Sequence, residues 1–418
     1  MIRISPPEKQ ITGSVYIGGS KSLSNRLLVL SEVLKKPFRL ANLSKSDDTK
    51  VLQKALDIIK SSDSLKQTVI DVGKAGTDMR FLTALLSVTK GLWILTGSER
   101  MKQRPIAPLV EALVDLGANI EYQESQGYPP LKIRGGTLKG GEITIKADVS
   151  SQFISALLLI SPAMELGLRI KLDGLVISRP YIDMTIDILR SKNVSVHFES
   201  DQVTVDPFDF KNLPEVTDVA IESDWSSASY WYSICALSKN SKIRLHSFST
   251  RSIQADSILP ELYGNLGVET KIEKDCIELT SAAIRISDFS YNFSNCPDLA
   301  QTVAVTCVGL GITAQLYGLS TLKIKETDRI LALKNELEKL GANIEAGSDF
   351  IRIAPGKKPS LDQEITIATY DDHRMAMSFA PFCLKEPIRI ANPEVVAKSY
   401  PRFWEDLKSL GFSVNLQA

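Results

Sequence analysis

A chain of 418 residues, 44% of them hydrophobic, is long enough for two or three domains and apolar enough to pack a core in each. Lys plus Arg equals Asp plus Glu at 49 each, so net charge offers no case for nucleic acid. Residues 1–14 lack the charged-then-apolar pattern of a secretory signal, and a cytoplasmic protein is expected. Five cysteines, Cys235, Cys276, Cys296, Cys307 and Cys383, have no C-x-x-C spacing and read as buried free thiols. His197, His246 and His373 stand far apart, which gives a structural metal site little support.

Along the chain, a small polar cluster opens six times into an apolar run, at intervals of roughly 74 residues after a shorter first one. The clusters are Gly19-Ser20-Lys21-Ser22, Lys74-Ala75-Gly76-Thr77, Asp148-Val149-Ser150-Ser151, Ser223-Asp224-Trp225-Ser226, Cys296-Pro297-Asp298 and Asp371-Asp372-His373-Arg374. Apolar residues follow at helical spacing, as with Leu23, Leu27, Leu30 and Leu34, so six helices with donor-rich or acidic starts are predicted. A second signal keeps the same period. Leu116-Gly117, Leu266-Gly267, Leu340-Gly341 and Leu410-Gly411 each close an amphipathic stretch, where glycine suits a left-handed C-cap before a strand. Ser191-Lys192-Asn193 does the same without glycine, and the first repeat, near 58–62, is too degenerate to read. One unit therefore reads as strand, buried helix, strand, amphipathic helix, hairpin. Six units divide most simply into three plus three, with a crossing near 215–223.

In chain order, Gly18 and Gly19 let backbone approach a ligand, while the helix that follows aims free N–H groups at an anion; Lys21 adds a point charge. Arg26, one turn beyond Ser22, can reach along the same face to a carboxylate or phosphate. A serine-capped helix with solvated Lys and Arg is the plainer alternative. A nucleotide P-loop is excluded, because Ser20 stands where that motif needs glycine. Asp298, after Pro297, reads equally as an N-cap or as a general base beside an apolar element. The uncharged stretch 299–322 contains Gln301, Gln315 and three glycines, and reads as a buried central helix more readily than a membrane span. In Lys323-Ile324-Lys325-Glu326-Thr327-Asp328-Arg329, ahead of an amphipathic helix at 330–340, Lys325 and Arg329 stand at i, i+4 beside Glu326. Such a run is either a solvated helix start or a carboxyl tuned among cations for proton transfer. With Arg104, Arg374 and Lys398, these cations would make a pocket for a small polyanion carrying phosphate and carboxylate if their loops share one cleft.

Together these segments resemble the 5-enolpyruvylshikimate-3-phosphate synthase family over nearly the whole chain. The pieces that carry the likeness are Gly19-Ser20-Lys21-Ser22-Leu23-Ser24-Asn25-Arg26, Ala75-Gly76-Thr77, Arg104-Pro105-Ile106, Val149-Ser150-Ser151-Gln152-Phe153, Lys325-Glu326-Thr327-Asp328-Arg329, Asp372-His373-Arg374-Met375-Ala376 and Lys398-Ser399-Tyr400-Pro401. The resemblance implies an α/β fold of two similar domains, each of three strand-helix-strand-helix-hairpin units, the inside-out α/β barrel of enolpyruvyl transferases. The first domain would be 19–221 and the second 1–18 plus 222–418, with the active site in the cleft between them and closure expected on the first substrate.

The implied reaction moves the enolpyruvyl group of phosphoenolpyruvate to the 5-hydroxyl of shikimate 3-phosphate, releasing phosphate through a tetrahedral intermediate, in the shikimate pathway. By resemblance, Lys21, Ser22, Arg26, Ser150, Ser151, Gln152, Ser178, Tyr181, Asp298 and Lys325 would hold shikimate 3-phosphate. Lys21, Gly76, Arg104, Gln152, Arg329, Arg374 and Lys398 would surround phosphoenolpyruvate. Asp298 would accept the hydroxyl proton, and Glu326, with Lys21, would serve the methylene carbon. Orientation of two mutually repelling anions can supply up to roughly 7–11 kcal/mol of such a barrier, so the clamps matter as much as the acid and base. No metal or organic cofactor, nucleic acid or membrane is implied, and a monomer is the family habit.

Ser150-Ser151-Gln152 looks like the glyphosate-sensitive type. Four positions depart from the family pattern: Lys74 replaces Asn, Phe81 a frequent Pro, Thr321 an Asn that contacts shikimate 3-phosphate, and Asp371 an Asn. The related transferase acting on UDP-N-acetylglucosamine typically carries a cysteine ahead of its Arg-Pro; here Ser98-Glu99-Arg100-Met101-Lys102-Gln103 has none. A catalytically silent anion-binding repeat protein is the alternative from another class.

Overall fold

The computed structural model describes residues 1–36, 38–148, 150–213, 216–356 and 364–417. Val149 of the third cluster and Glu215, where the crossing was expected to begin, lie outside them. The chain opens with β1 (Ile2–Ser5), β2 (Ile11–Val15), α1 (Lys21–Leu34), β3 (Phe38–Ala41) and α2 (Asp47–Ser61). Next come β4 (Gln67–Asp71), α3 (Gly76–Ser87), β5 (Gly91–Thr96), the short α4 (Glu99–Lys102), α5 (Ala107–Asp115), β6 (Asn119–Tyr122) and β7 (Leu131–Gly135). They are followed by β8 (Gly141–Lys146), α6 (Ser151–Ile160), β9 (Leu168–Asp173), α7 (Arg179–Arg190), β10 (Val196–Glu199), β11 (Gln202–Val205) and β12 (Thr217–Ala220). The remaining part runs α8 (Trp225–Leu237), β13 (Ser241–His246), α9 (Leu259–Asn265), β14 (Val268–Ile272), β15 (Cys276–Ser281), β16 (Asp288–Asn292), α10 (Ala300–Leu310) and β17 (Thr313–Tyr317). It closes with α11 (Arg329–Lys339), β18 (Ala342–Ala346), β19 (Phe350–Pro355), β20 (Ile365–Ile367), α12 (His373–Phe379), β21 (Ile388–Ile390), α13 (Phe403–Ser409) and β22 (Ser413–Leu416).

Each polar cluster does open a helix: α1, α3, α6, α8 and α12 directly, and α10 after a 3₁₀ turn at Pro297–Leu299. At the far ends, Gly341 has φ +86° after α11, a left-handed conformation that costs glycine nothing, and Asn193 holds φ +62° after α7 in its place. The stretch 299–322 is not one long helix: α10 stops at Leu310, Gly311 turns at φ +71°, and a strand follows. No helix among the described residues is long and apolar enough to cross a membrane.

The chain divides into two compact units, Lys21–Ile221 and Met1–Ser20 with Glu222–Ala418. Gly19 and Ser20, read from sequence with the first domain, belong to the second unit. Ser20 N–H donates to the Glu222 carbonyl (2.9 Å), and Gly19 bridges Ser223. Five sheets share one order, third strand, fourth, second, first: β6 and β7 with β5 and β4, β10 and β11 with β9 and β8, and likewise β14-β15-β13-β2, β18-β19-β17-β16 and β22-β1-β21-β20. The first two strands of each are parallel, and the other two pair antiparallel, as a hairpin in four sheets and in the fifth as β22 against β1 from the far end of the sequence. The sixth unit departs from the predicted pattern. Among the described residues around α1 and α2 only β3 and β12 pair, in parallel, with no hairpin, which is why the sequence there was too degenerate to read.

Each unit has its own apolar core. In the first, α1, α3 and α6 pack on one another; in the second, α8, α10 and α12 do. In α8 and α10 the faces are apolar nearly all round, and the polar side chains buried beyond their first turns are small hydroxyls. Hydroxyls cross-link the second trio where it would otherwise bury bare polar groups: Thr302 of α10 lies 3.2 Å from Ser229 of α8 and 3.0 Å from Ser378 of α12.

Candidate functional site

In the unit Lys21–Ile221, the expected residues gather at the N-terminal ends of the three central helices. Lys21 is the first residue of α1, and its Nζ lies 2.9 Å from Asp48 Oδ2 in the first turn of α2. Ser22 follows, half-buried, and its carbonyl accepts from Arg26 Nη1 (3.0 Å). The sequence expectation had Arg26 reaching along the helix face for a ligand. Its guanidinium is held by protein acceptors: Nε donates to Thr185 Oγ1 (2.8 Å), and Nη2 donates to Ser155 Oγ and the Tyr181 carbonyl (3.2 Å each). Its acceptors are all neutral, and burial pushes its pKa down to about 10 against the opposing pull of Tyr181. A buried cation without a carboxylate partner is a strong attractor for an anion.

Gly76 is the first residue of α3, and a Cβ there would stand 2.2 Å from Arg104 Nη1 and 2.8 Å from Arg80 Nη1. Two nearly buried guanidinium groups therefore lie against this glycine. Arg80, not foreseen from sequence, donates to the Gly76 carbonyl (2.7 Å) and stacks over Phe153 at 5.9 Å. The legible signal was its place one turn beyond Gly76. Ser150 caps α6 by accepting from Gln152 N–H (3.3 Å), and Ser151 begins the helix. Gln152 Nε2 donates to Thr77 Oγ1 (3.2 Å), tying α6 to α3. Ser178 precedes α7 at φ +56°, and Tyr181 follows in the first turn. Asn25 joins the same frame, donating to Asp78 Oδ1 (2.8 Å) and accepting from Thr49 Oγ1 (2.7 Å). Of the departures, Lys74 is exposed ahead of α3, and Phe81 is buried with Arg26 over its ring at 5.4 Å.

The second unit gathers the rest. Asp298 lies in the 3₁₀ turn, and Leu299 holds the N-cap position of α10, so the N-cap reading of Asp298 fails. Its carboxylate instead accepts from Arg329 Nη1 (2.9 Å) and Arg374 Nη2 (3.0 Å), with Lys325 Nζ at 3.9 Å. Burial pushes this carboxyl up, but Arg374, Lys325 and Arg329 outweigh it and hold it well below the usual carboxylate range. Lys325 is not on a helix, since α11 begins at Arg329; burial lowers its pKa against the pull of Asp298.

Glu326 Oε2 accepts from Arg329 Nη2 and Oε1 faces Lys398 Nζ, at 2.9 and 2.8 Å. Arg329 itself is 2% exposed and also donates from Nε to Asp372 Oδ2 (2.6 Å). Burial works against its charge, yet Asp372, Glu326 and Asp298 together raise its pKa above the ordinary value. Asp256, next to this cluster, is pushed up to about 7 by burial and then by Asp298, with Arg374 opposing, and its Oδ2 accepts from Ser226 Oγ. Thr321 Oγ1 is buried without a hydrogen-bond partner among the described residues, and Asp371 sits at φ +57° just before Asp372. The sequence assigned no role to Asp48 or Asp256, nor to Asp372 although its motif stood out, because nothing local marks which distant cation or carboxylate an aspartate will face.

Chemically, the first set offers hydroxyls and cations that suit a phosphorylated polyol. The second offers two carboxylates among four cations, which suits proton transfer beside a bound anion. The model of the family described as EPSP synthase (3-phosphoshikimate 1-carboxyvinyltransferase) matches residues 6–407. A 3-phosphoshikimate 1-carboxyvinyltransferase of Bacteroides fragilis is 45% identical over 409 residues, 97% of each chain, and one of Colwellia psychrerythraea is 35% identical over 96% of this chain and 97% of its own. Among solved structures, an EPSP synthase from Acinetobacter baumannii superposes with a TM-score of 0.76 over 100% of both chains at 22% identity. The enolpyruvyl transferase NikO from Streptomyces tendae does so at 0.75, 15% identical, over 99% of this chain and 98% of its own. At those identities the structures attest the α/β enolpyruvyl transferase fold.

Proposed function

The chain belongs to the EPSP synthase family, and from that premise we propose that it transfers the enolpyruvyl group of phosphoenolpyruvate to the 5-hydroxyl of shikimate 3-phosphate, releasing phosphate. The observation that carries this reading is the hold of one guanidinium, Arg329, on both Asp298 and Glu326 at 2.9 Å. It sets a potential base and a potential acid on either side of an anion clamp. Shikimate 3-phosphate would take Lys21, Ser22, Arg26, Ser150, Ser151, Gln152, Ser178, Tyr181, Asp298 and Lys325. Phosphoenolpyruvate would take Lys21, Gly76, Arg104, Gln152, Arg329, Arg374 and Lys398.

The chemistry needs no enzyme nucleophile. Protonation of the methylene carbon by Glu326, with Lys21, makes it a methyl group and leaves positive character at C2; the 5-hydroxyl attacks there while Asp298 takes its proton; the Glu326 carboxylate then takes a proton back from the methyl group as phosphate leaves, which restores the double bond. In the free protein Asp298 is a weak base, because its cations hold it ionised. An anion that draws Arg329 and Arg374 toward itself would strengthen it.

Phosphate release from phosphoenolpyruvate, assayed in parallel with shikimate 3-phosphate and with UDP-N-acetylglucosamine, tests the proposal. Release only with shikimate 3-phosphate is expected; release only with the nucleotide sugar overturns the substrate, and none with either favours the silent binder. Gly76, Thr77, Ser150, Ser151 and Gln152 support competitive inhibition by glyphosate against phosphoenolpyruvate, an inference that a millimolar inhibition constant refutes. The same reading has the protein acting as a cytoplasmic monomer, which light scattering after gel filtration checks for the oligomeric state.

A further inference from the structure

Three carboxylates surround Arg329, and they differ in one respect. The Asp298 and Glu326 side chains keep 17% and 16% of their surface exposed, whereas Asp372 keeps 0%. Asp372 is also held from several directions. Its backbone N–H donates to the Thr369 carbonyl (2.8 Å), and its own carbonyl accepts from Met375 N–H (3.1 Å). Its Oδ2 takes Arg329 Nε at 2.6 Å, while its Oδ1 takes Arg329 Nη2 at 3.3 Å and the Arg374 N–H at 2.8 Å. One buried side chain thus joins the guanidinium at the start of α11 to the first turn of α12, the two places from which the arginine clamps project.

A phosphate or carboxylate arriving at Arg329 and Arg374 can replace the accessible carboxylates as their partner. It cannot replace Asp372, which it cannot reach. We infer that Asp372 is a positioning residue for phosphoenolpyruvate: the permanent counter-ion that keeps the two arginines in register while Asp298 and Glu326 exchange partners with the substrate. This rests on the function proposed above. A planar guanidinium bound on one edge by a fixed carboxylate presents its other N–H groups in a set direction, and clamp geometry of this kind is lost steeply with displacement.

The test is steady-state kinetics of Asp372→Asn and Asp372→Glu, with thermal melting of each. Asn keeps an acceptor for the Arg374 N–H but drops the charge; Glu keeps the charge but moves the guanidinium. Both are expected to raise KM for phosphoenolpyruvate roughly 10- to 100-fold while leaving KM for shikimate 3-phosphate within about threefold of wild type. Unchanged KM for phosphoenolpyruvate, a proportional rise for both substrates, or failure of both variants to fold would assign Asp372 a purely structural role and overturn the inference. Wild-type protein that releases no phosphate fails the functional reading itself, and the inference with it; active wild type without the split in KM fails the inference alone.

Discussion

Asp298 and Glu326 share a cation but not an environment, and their variants separate binding from chemistry. Asp298→Ala and Glu326→Ala are each expected to lower kcat by roughly 10²- to 10⁴-fold while calorimetry still detects both substrates; full activity in both would remove the assigned roles. Asp256 gives a distinct pH signature. Its folded pKa, about 7, lies above the ordinary 3.8, so the folded state holds a proton that the unfolded state has lost. Stability from this group is complete below the ordinary value and disappears as pH rises toward 7. Asp298, shifted the other way, loses its contribution only as pH falls below the ordinary 3.8. Denaturant titrations between pH 4 and 7 should therefore show wild type losing stability relative to Asp256→Asn, by the order of a few kcal/mol; parallel curves would reject the assignment. The acids and cations of the site were legible because short motifs carry them. Their pairing was not: Arg26 turns to Thr185 and Ser155, Lys21 to Asp48, and Arg329 to Asp372, choices made by tertiary packing.

At the scale of elements, the first turns of the buried helices do the positioning, and α3 offers the sharpest test. Gly76→Ala would drive a methyl group into Arg104 Nη1, the mobile tip of a side chain, so the helix should persist and the guanidinium should shift. A rise in KM for phosphoenolpyruvate of roughly tenfold or more, with little change in melting temperature, is expected; a large melting loss with unchanged KM would show that the backbone yielded instead. Helix starts and glycine caps could be read ahead because each is a local signal of a few residues. The missing hairpin beside β3 could not, since the absence of a pattern and a degenerate pattern look alike.

At the scale of the molecule, strands are lent across the sequence. β2 completes the sheet of β13 to β15, and β1 sits inside the sheet of β20 to β22. A chain lacking residues 1–20 would leave one sheet without its edge strand and split another down the middle. Loss of the cooperative melt of the second unit is expected, with protease-resistant survival of 21–221, which keeps both β3 and β12; an intact two-unit melt would contradict it. The family resemblance placed residues 1–18 with the second domain, but no local pattern did, because register between strands so far apart leaves no local trace. It also imposes a timetable on biosynthesis. Ile2 leaves the ribosome long before its partners Ile390 and Leu416, so at about 5–20 residues per second the nascent β1 stays unpartnered for roughly 20–80 s. Residues 21–221 can meanwhile fold behind it, and any chaperone that shields Ile2 and Ile4 during translation would be guarding the last strands to find their places.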